Sequence, residues 1–357
     1  MMKKLAMGID IGGTNTAFGL VDEDGNVVAE GKISTEKFRY FDDYKPYIET
    51  LAQAMKEVIV SQPECELIGI GIGAPNACIH TGEIETPANL WKFEDPTDPR
   101  PDSIRVFKFV EDLNKYFEGV KIMITNDANA AAIGEMVFGN ARGMKDFAMI
   151  TLGTGLGSGI VCNGEMVYGS DGFAGEYGHI AVESRQTGRQ CGCGRRGCLE
   201  AYVSATGIKR TAFELMATMT CDSELRSVPY DKFEAKRLSD AAKKNDPIAL
   251  EAFERTGRVL GEALADLTAI PSPEAIILFG GLANAGDLIM KPTYRHMEEN
   301  QLTVFKGKVK LLMSGADYKE VIAYMEEKDG ERRTNPFASA TKPEKEHLIE
   351  EETQKDE

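Results

Sequence analysis

Apolar residues in this chain form short strand-like runs at first and helical spacings later. Residues 5–34 hold three runs, LAMGI, TAFGLV and VVAEGKIS, separated by DIGGTN and the turn DEDGN. Such spacing predicts a three-strand meander. From Asp42 to Val60 the apolar positions 47, 48, 51, 54, 55, 58 and 59 share one helical face. LIGIGIGAPN (67–76) and VKIMIT (120–125) read as buried strands, and the small-residue helix ANAAAIGEMVFG follows the second. FAMITL (147–152) runs into Gly153-Thr-Gly-Leu-Gly-Ser-Gly159 and then IVC, repeating the strand, glycine turn, strand order of the opening. SATGIKRTAFELMATM and PIALEAFERTGRVLGEALADLTAI have amphipathic helical spacing, with Pro247 where a first helical turn accepts it. EAIILFGG and KVKLLM (308–313) close the pattern as strands. A helix is expected after Ala283-Asn284-Ala285-Gly286.

Length divides this pattern. A chain of 357 residues exceeds one ordinary core. The two hairpins therefore predict two related domains facing each other, over 1–126 and 127–313. DYKEVIAYMEEK reads as a short amphipathic helix near 317–328. Residues 329–357 are polar, acidic and without pattern, so disorder is expected there. No apolar run of about 20 residues suggests a membrane span. Asp10 arrives too soon for a secretory leader, and Cys65, Cys78, Cys162 and Cys221 lack disulfide-framework spacing. A cytoplasmic protein is the expectation. The net charge of −16 argues against a nucleic-acid surface.

Chemistry gathers at a few places. In Asp10-Ile-Gly12-Gly13-Thr14-Asn15 the glycine pair exposes successive N–H groups that suit a phosphate. Asp10 there suits a hydrated Mg²⁺, although a plain hairpin turn also accepts such residues. Thr154 and Gly155 repeat the device, and Gly280-Gly281 ends a strand where a flat nucleotide can lie against backbone. Asn126 and Asp127 follow a strand at its carboxyl end, where α/β sheets bind ligands. Asp127 is suited to accept a hydroxyl proton or to cap the following helix. Asn89, beside the single tryptophan Trp91, is either a sugar-binding lip or a turn former. The densest cluster is His179, Cys191, Cys193 and Cys198, spaced H-x11-C-x-C-x4-C. These ligand types close a tetrahedral structural Zn²⁺ site, whereas a C-x-C disulfide is strained. Glu176 and Glu200 bracket this knuckle (179–200).

DIGGTNTAFGLVD, NDANAAAIGE, LGTGLGSGIV with GFAGEYGHI, CGCGRRGCLE and LFGG together resemble the ROK family of repressors and sugar kinases. They look most like its glucokinase branch, within the actin-like ATPase superfamily. The resemblance implies an α/β fold of two actin-like (ribonuclease H-like) domains around a cleft, with a zinc knuckle. It implies ATP- and Mg²⁺-dependent phosphorylation of a hexose C6 hydroxyl, most simply glucose. Fructose, mannose and N-acyl amino sugars are alternatives, and a sugar-responsive repressor is a remoter one. By position, Asp127 is then the base and Asn126 holds a neighbouring hydroxyl. Asn89, Glu176, His179 and Glu200 contact the sugar. Asp10, Gly12, Gly13, Thr14 and Asn15, with Thr154 and Gly155 opposite, hold Mg²⁺ and the donor phosphates. Gly280 and Gly281 border the adenosine. A homodimer or homotetramer is expected on the same ground. The chain departs from the family at Asn76, where Gly usually follows Pro. It also departs at the C-terminus, where the resemblance implies a hydrophobic helix packed back on the first domain and Val321, Ile322 and Met325 offer a shorter apolar face near 317–328.

Overall fold

The computed structural model describes residues 2–38, 43–86 and 106–315. Asn89, the helix expected near 317–328 and the tail 329–357 lie outside the described residues. The opening meander forms as β1 (Lys3–Ile11), β2 (Asn15–Val21) and β3 (Val27–Ser34). Helix α1 (Lys45–Val60) starts with Pro46 in its first turn and buries Tyr47, Ile48, Leu51, Ala52 and Met55, the face that the spacing predicts. Strand β4 (Cys65–Gly73) pairs parallel with β1. Three short antiparallel strands follow, β5 (Ala77–Cys78), β6 (Glu83–Glu85) and β7 (Val106–Phe107). Helix α2 (Phe109–Asn114) then leads to β8 (Lys121–Thr125). Strands β1–β4 and β8 make a five-stranded sheet ordered β3-β2-β1-β4-β8. Ile84 and Phe107 of the small sheet share a buried cluster with Leu5, Met7 and Ile9, so both sheets stand on one core.

The second half builds the same plan. Helix α3 (Asp127–Val137) precedes β9 (Phe147–Leu152), β10 (Leu156–Cys162) and β11 (Glu165–Met166). Helices α4 (Glu200–Val203), α5 (Ala205–Thr218), α6 (Ala235–Lys243) and α7 (Pro247–Thr268) follow. Then come β12 (Ala275–Phe279), α8 (Asp287–Asn300) and β13 (Lys310–Met313). The sheet order is β11-β10-β9-β12-β13, with two antiparallel pairs on one side and two parallel pairs on the other. The first sheet has the same order and pairing directions. The repeated glycine hairpin thus marks a repeated topology.

Helix α7 starts as its sequence asks: Asp246 accepts the N–H groups of Ile248 and Ala249 at 3.0 and 3.1 Å, with Pro247 first in the helix. Among the described residues, no helix is long and apolar enough to cross a membrane.

Candidate active site

Helix α3 carries Asp127 at its first position, directly after β8. The cap is Asn126, whose backbone is extended and whose Oδ1 accepts the Ala128 N–H at 2.8 Å. The capping role open to Asp127 therefore falls mainly to its neighbour, though Asp127 Oδ1 also receives the Ala128 N–H at 2.8 Å. Asp127 keeps part of its surface accessible while burial pushes its carboxyl pKa up against these N–H groups. The alanines of α3 explain how the helix gets so close to the second sheet. A Cβ at Gly159 would lie 2.8 Å from Ala132 Cβ, and one at Gly157 would lie 2.9 Å from Ala128 Cβ. Glycine in β10 and alanine in α3 are complementary.

Glu176 and His179 are fixed against that same strand. Ser158 Oγ donates to the Gly175 carbonyl and accepts the Tyr177 N–H at 3.1 Å. The buried Tyr177 hydroxyl donates to the Ala263 carbonyl of α7. Between these anchors, burial raises the Glu176 pKa. His179 lowers it, and the charges of Asp127 and Glu200 raise it again. Glu176 therefore lies within electrostatic reach of both Asp127 and Glu200.

His179 and the three cysteines place one ligand atom each within 4.8 Å of one another. Cys193 and Cys198 Sγ are 3.7 Å apart, and His179 Nδ1 is 3.8 Å from Cys191 Sγ. A tetrahedron with Zn–S bonds of ~2.3 Å has edges of about 3.8 Å, so the cluster fits Zn²⁺. His179 Nε2 points the other way, 3.8 Å from Glu176 Oε2. Burial raises the Cys193 thiol pKa, but the Arg195 backbone and guanidinium donors outweigh it, leaving a value of about 6. Arg185 donates to Cys198 Sγ at 3.2 Å and to the His179 carbonyl at 3.0 Å, bracing two of the four ligands. Glu200 closes the knuckle from behind: Oε1 lies 3.3 Å from Cys191 Sγ, and Oε2 accepts the Leu156 N–H at 3.0 Å.

The glycine turns stand at strand ends of the two sheets. In the first, Gly12 N–H donates to the Asn15 carbonyl at 3.0 Å, and Glu36 N–H to the Thr14 carbonyl at 3.2 Å. Beneath it Thr16 Oγ1 is 2.8 Å from Thr35 Oγ1 and 2.6 Å from the buried Tyr47 hydroxyl. In the second, Gly153 N–H donates to the Gly155 carbonyl at 3.0 Å, and Thr206 Oγ1 to the Thr154 carbonyl at 3.1 Å. Gly280 has φ +103, and a Cβ there would lie 2.7 Å from the Leu152 carbonyl, so only glycine fits between β12 and β9. The second and third turns thereby adjoin, whereas the first belongs to the other sheet.

A model of the ROK family matches residues 6–316. The chain belongs to the ROK family. A glucokinase of Halalkalibacterium halodurans is 36% identical over 306 residues, covering 84% of this chain and 86% of that protein. The crystal structure of a ROK family glucokinase from Streptomyces griseus in complex with glucose and AMPPNP matches with a TM-score of 0.69 and 30% identity, covering 90% of this chain and 98% of that one. The xylose repressor of Bacillus subtilis is also similar, at 28% identity over 292 residues, 80% of this chain and 66% of that one.

Against ROK expectations, the Asn76 departure keeps the backbone that glycine would give. Its φ is +57, a left-handed value asparagine tolerates, and Nδ2 donates to the Thr86 carbonyl at 3.1 Å. The side chain thus ties down the chain just before the segment holding Asn89. Sequence reading missed Ser158, Tyr177 and Arg185, which position the site without standing in it. Only the arginine left a signal, by its closeness to the knuckle.

Proposed function

We propose that this ROK chain is an ATP- and Mg²⁺-dependent hexokinase that phosphorylates the C6 hydroxyl of glucose, with Asp127 as general base. One observation carries the reading: a carboxylate of raised pKa stands at the start of α3, and its charge is felt by Glu176. A raised pKa improves a carboxylate as a base, because it stays ionised at neutral pH yet binds a proton more readily. The hexose lies with its C6 hydroxyl at Asp127. Glu176, Glu200, Asn126, Asn89 and the outward Nε2 of His179 address the other hydroxyls. Asp127 takes the hydroxyl proton as the oxygen forms its bond to the terminal phosphorus and ADP leaves.

The turns at Asp10, Gly12–Asn15 and Thr154–Gly155 cradle the donor phosphates, and Gly280–Gly281 border the adenosine. When bound near Asp10, Mg²⁺ offsets phosphate charge. Little is left for the protein beyond positioning and electrostatics. Structural zinc at His179, Cys191, Cys193 and Cys198 holds the sugar-facing loop. A cytoplasmic location fits such a reaction.

The test is ADP release coupled to an indicator reaction, across glucose, fructose, mannose, N-acetylglucosamine and N-acetylmannosamine, with ATP and polyphosphate as donors. Turnover highest with glucose and ATP is expected. Best turnover with an amino sugar would replace glucose in the proposal. Hexose binding without ADP release from any sugar would overturn the kinase and favour a sensor of the repressor type.

A further inference from the structure

Cys78 ends β5 and His80 lies in the turn that follows, beside the core of the first sheet, yet their polar atoms reach the loop that follows β11 on the second. Cys78 Sγ donates to the Asp171 carbonyl at 3.2 Å, and His80 Nε2 lies 3.2 Å from the Gly169 carbonyl. A carbonyl only accepts, so this nitrogen carries the proton. The His80 ring also stands edge-on to Tyr168, with centroids 6.3 Å apart. Contact is close: a Cβ at Gly172, where φ is +89, would lie 2.7 Å from Cys78 Sγ. Each side is separately anchored. Gly82 N–H donates to the Cys78 carbonyl and Val110 N–H to the Gly82 carbonyl, both at 3.0 Å, tying the turn to α2. Ala174 N–H donates to the Tyr168 carbonyl at 3.0 Å, closing the opposite loop one residue before Gly175. Glu176 follows directly.

We propose that Cys78 and His80 are positioning residues for the hexose, clamping the 168–174 loop so that Glu176 is presented at a fixed place between the two sheets. This rests on the hexokinase reading. The clamp joins groups carried by different sheets, so it fixes the loop that leads to Glu176 rather than stabilising either half alone.

The experiment compares His80→Ala, His80→Gln and Cys78→Ala with the unaltered chain. Its readouts are hexose binding by calorimetry without nucleotide, KM for hexose and for ATP, and melting temperature. His80 is exposed, so its loss leaves folding intact. His80→Ala is expected to weaken hexose binding and raise hexose KM about three- to tenfold, the worth of one hydrogen bond. KM for ATP and the melting temperature stay put. His80→Gln, which keeps an N–H donor, recovers most of the loss, and Cys78→Ala resembles His80→Ala. Unchanged hexose binding in both alanine variants overturns the clamp while leaving the kinase reading intact. An equal loss for ATP, or a loss that merely follows melting temperature, also overturns it. If the unaltered chain takes no hexose at all, both readings fall.

Discussion

Glu200 Oε2 accepts the backbone N–H of Leu156 at 3.0 Å, joining the cysteine knuckle to the second glycine turn. A Cβ on the neighbouring Gly155 would lie 2.4 Å from the same oxygen, so the carboxylate fills the space under the turn. On the proposed reading, sugar-side and nucleotide-side elements thus share one side chain. Glu200→Ala should therefore raise KM for both hexose and ATP, each about tenfold, where a pure sugar contact would move only the first. Steady-state kinetics with each substrate varied in turn checks it.

Asp127→Asn should keep hexose affinity within about twofold while kcat falls at least a hundredfold, the lower end for a lost general base. The pH profile adds a sign. Base catalysis needs the ionised form, so kcat/KM falls as pH drops through the Asp127 pKa, at a pH above the ordinary carboxylate value of about 3.9. Stability runs the opposite way. A folded pKa raised by burial contributes stability below the unfolded value, lost as pH rises through the folded one. At neutral pH the Asn variant should melt no lower than the native chain, and the gap should shrink on acidification.

Gly159→Ala tests the packing of α3. The new methyl meets Ala132 Cβ at 2.8 Å and the Ala128 carbonyl at 2.9 Å, so the helix must shift. A loss of about 1–3 kcal/mol in urea unfolding is expected, with a fall in kcat larger than the change in KM, because Asp127 moves with the helix.

Metal removal has a directional outcome. Elemental analysis should find about one zinc per chain, since four soft ligands close one tetrahedral site. Chelation, or Cys193→Ser, should lower the melting temperature and raise hexose KM more than ATP KM, because His179 is released from its Nδ1 side. Fully active zinc-free protein would remove the metal from this account.

Asn76 separates backbone from side chain. Asn76→Ala should cost about 1 kcal/mol for its left-handed φ. Asn76→Gly keeps the turn and loses only the bond to Thr86, so its melting temperature should stay near native.

Much of the architecture was legible because the elements that carry it have distinct apolar patterns. Strands β1 and β9 are continuous apolar runs buried on both faces, whereas α1 and α7 bury the face their spacing implies. The small sheet β5–β7 was not legible, because strands of two or three residues are too short to show alternation. In the site, the four zinc-type ligands announced themselves by chemistry and spacing. Glu200 was visible as a bracket of the knuckle and, through the family resemblance, as a sugar contact, but its hold on Leu156 spans 44 residues and no local pattern records it. Ser158 and Tyr177 read as ordinary strand and loop residues for the same reason.

The duplicated strand order bears on how the molecule assembles. Each five-stranded sheet is drawn from one uninterrupted length of chain, Lys3 to Thr125 and Phe147 to Met313. During synthesis the first sheet can close before the second has left the ribosome. Helix α3 emerges between them, and the glycines of β10 that receive its alanines come later in the chain. Asp127 therefore acquires its surroundings only when the second sheet forms, so the proposed site cannot be assembled on the nascent first half.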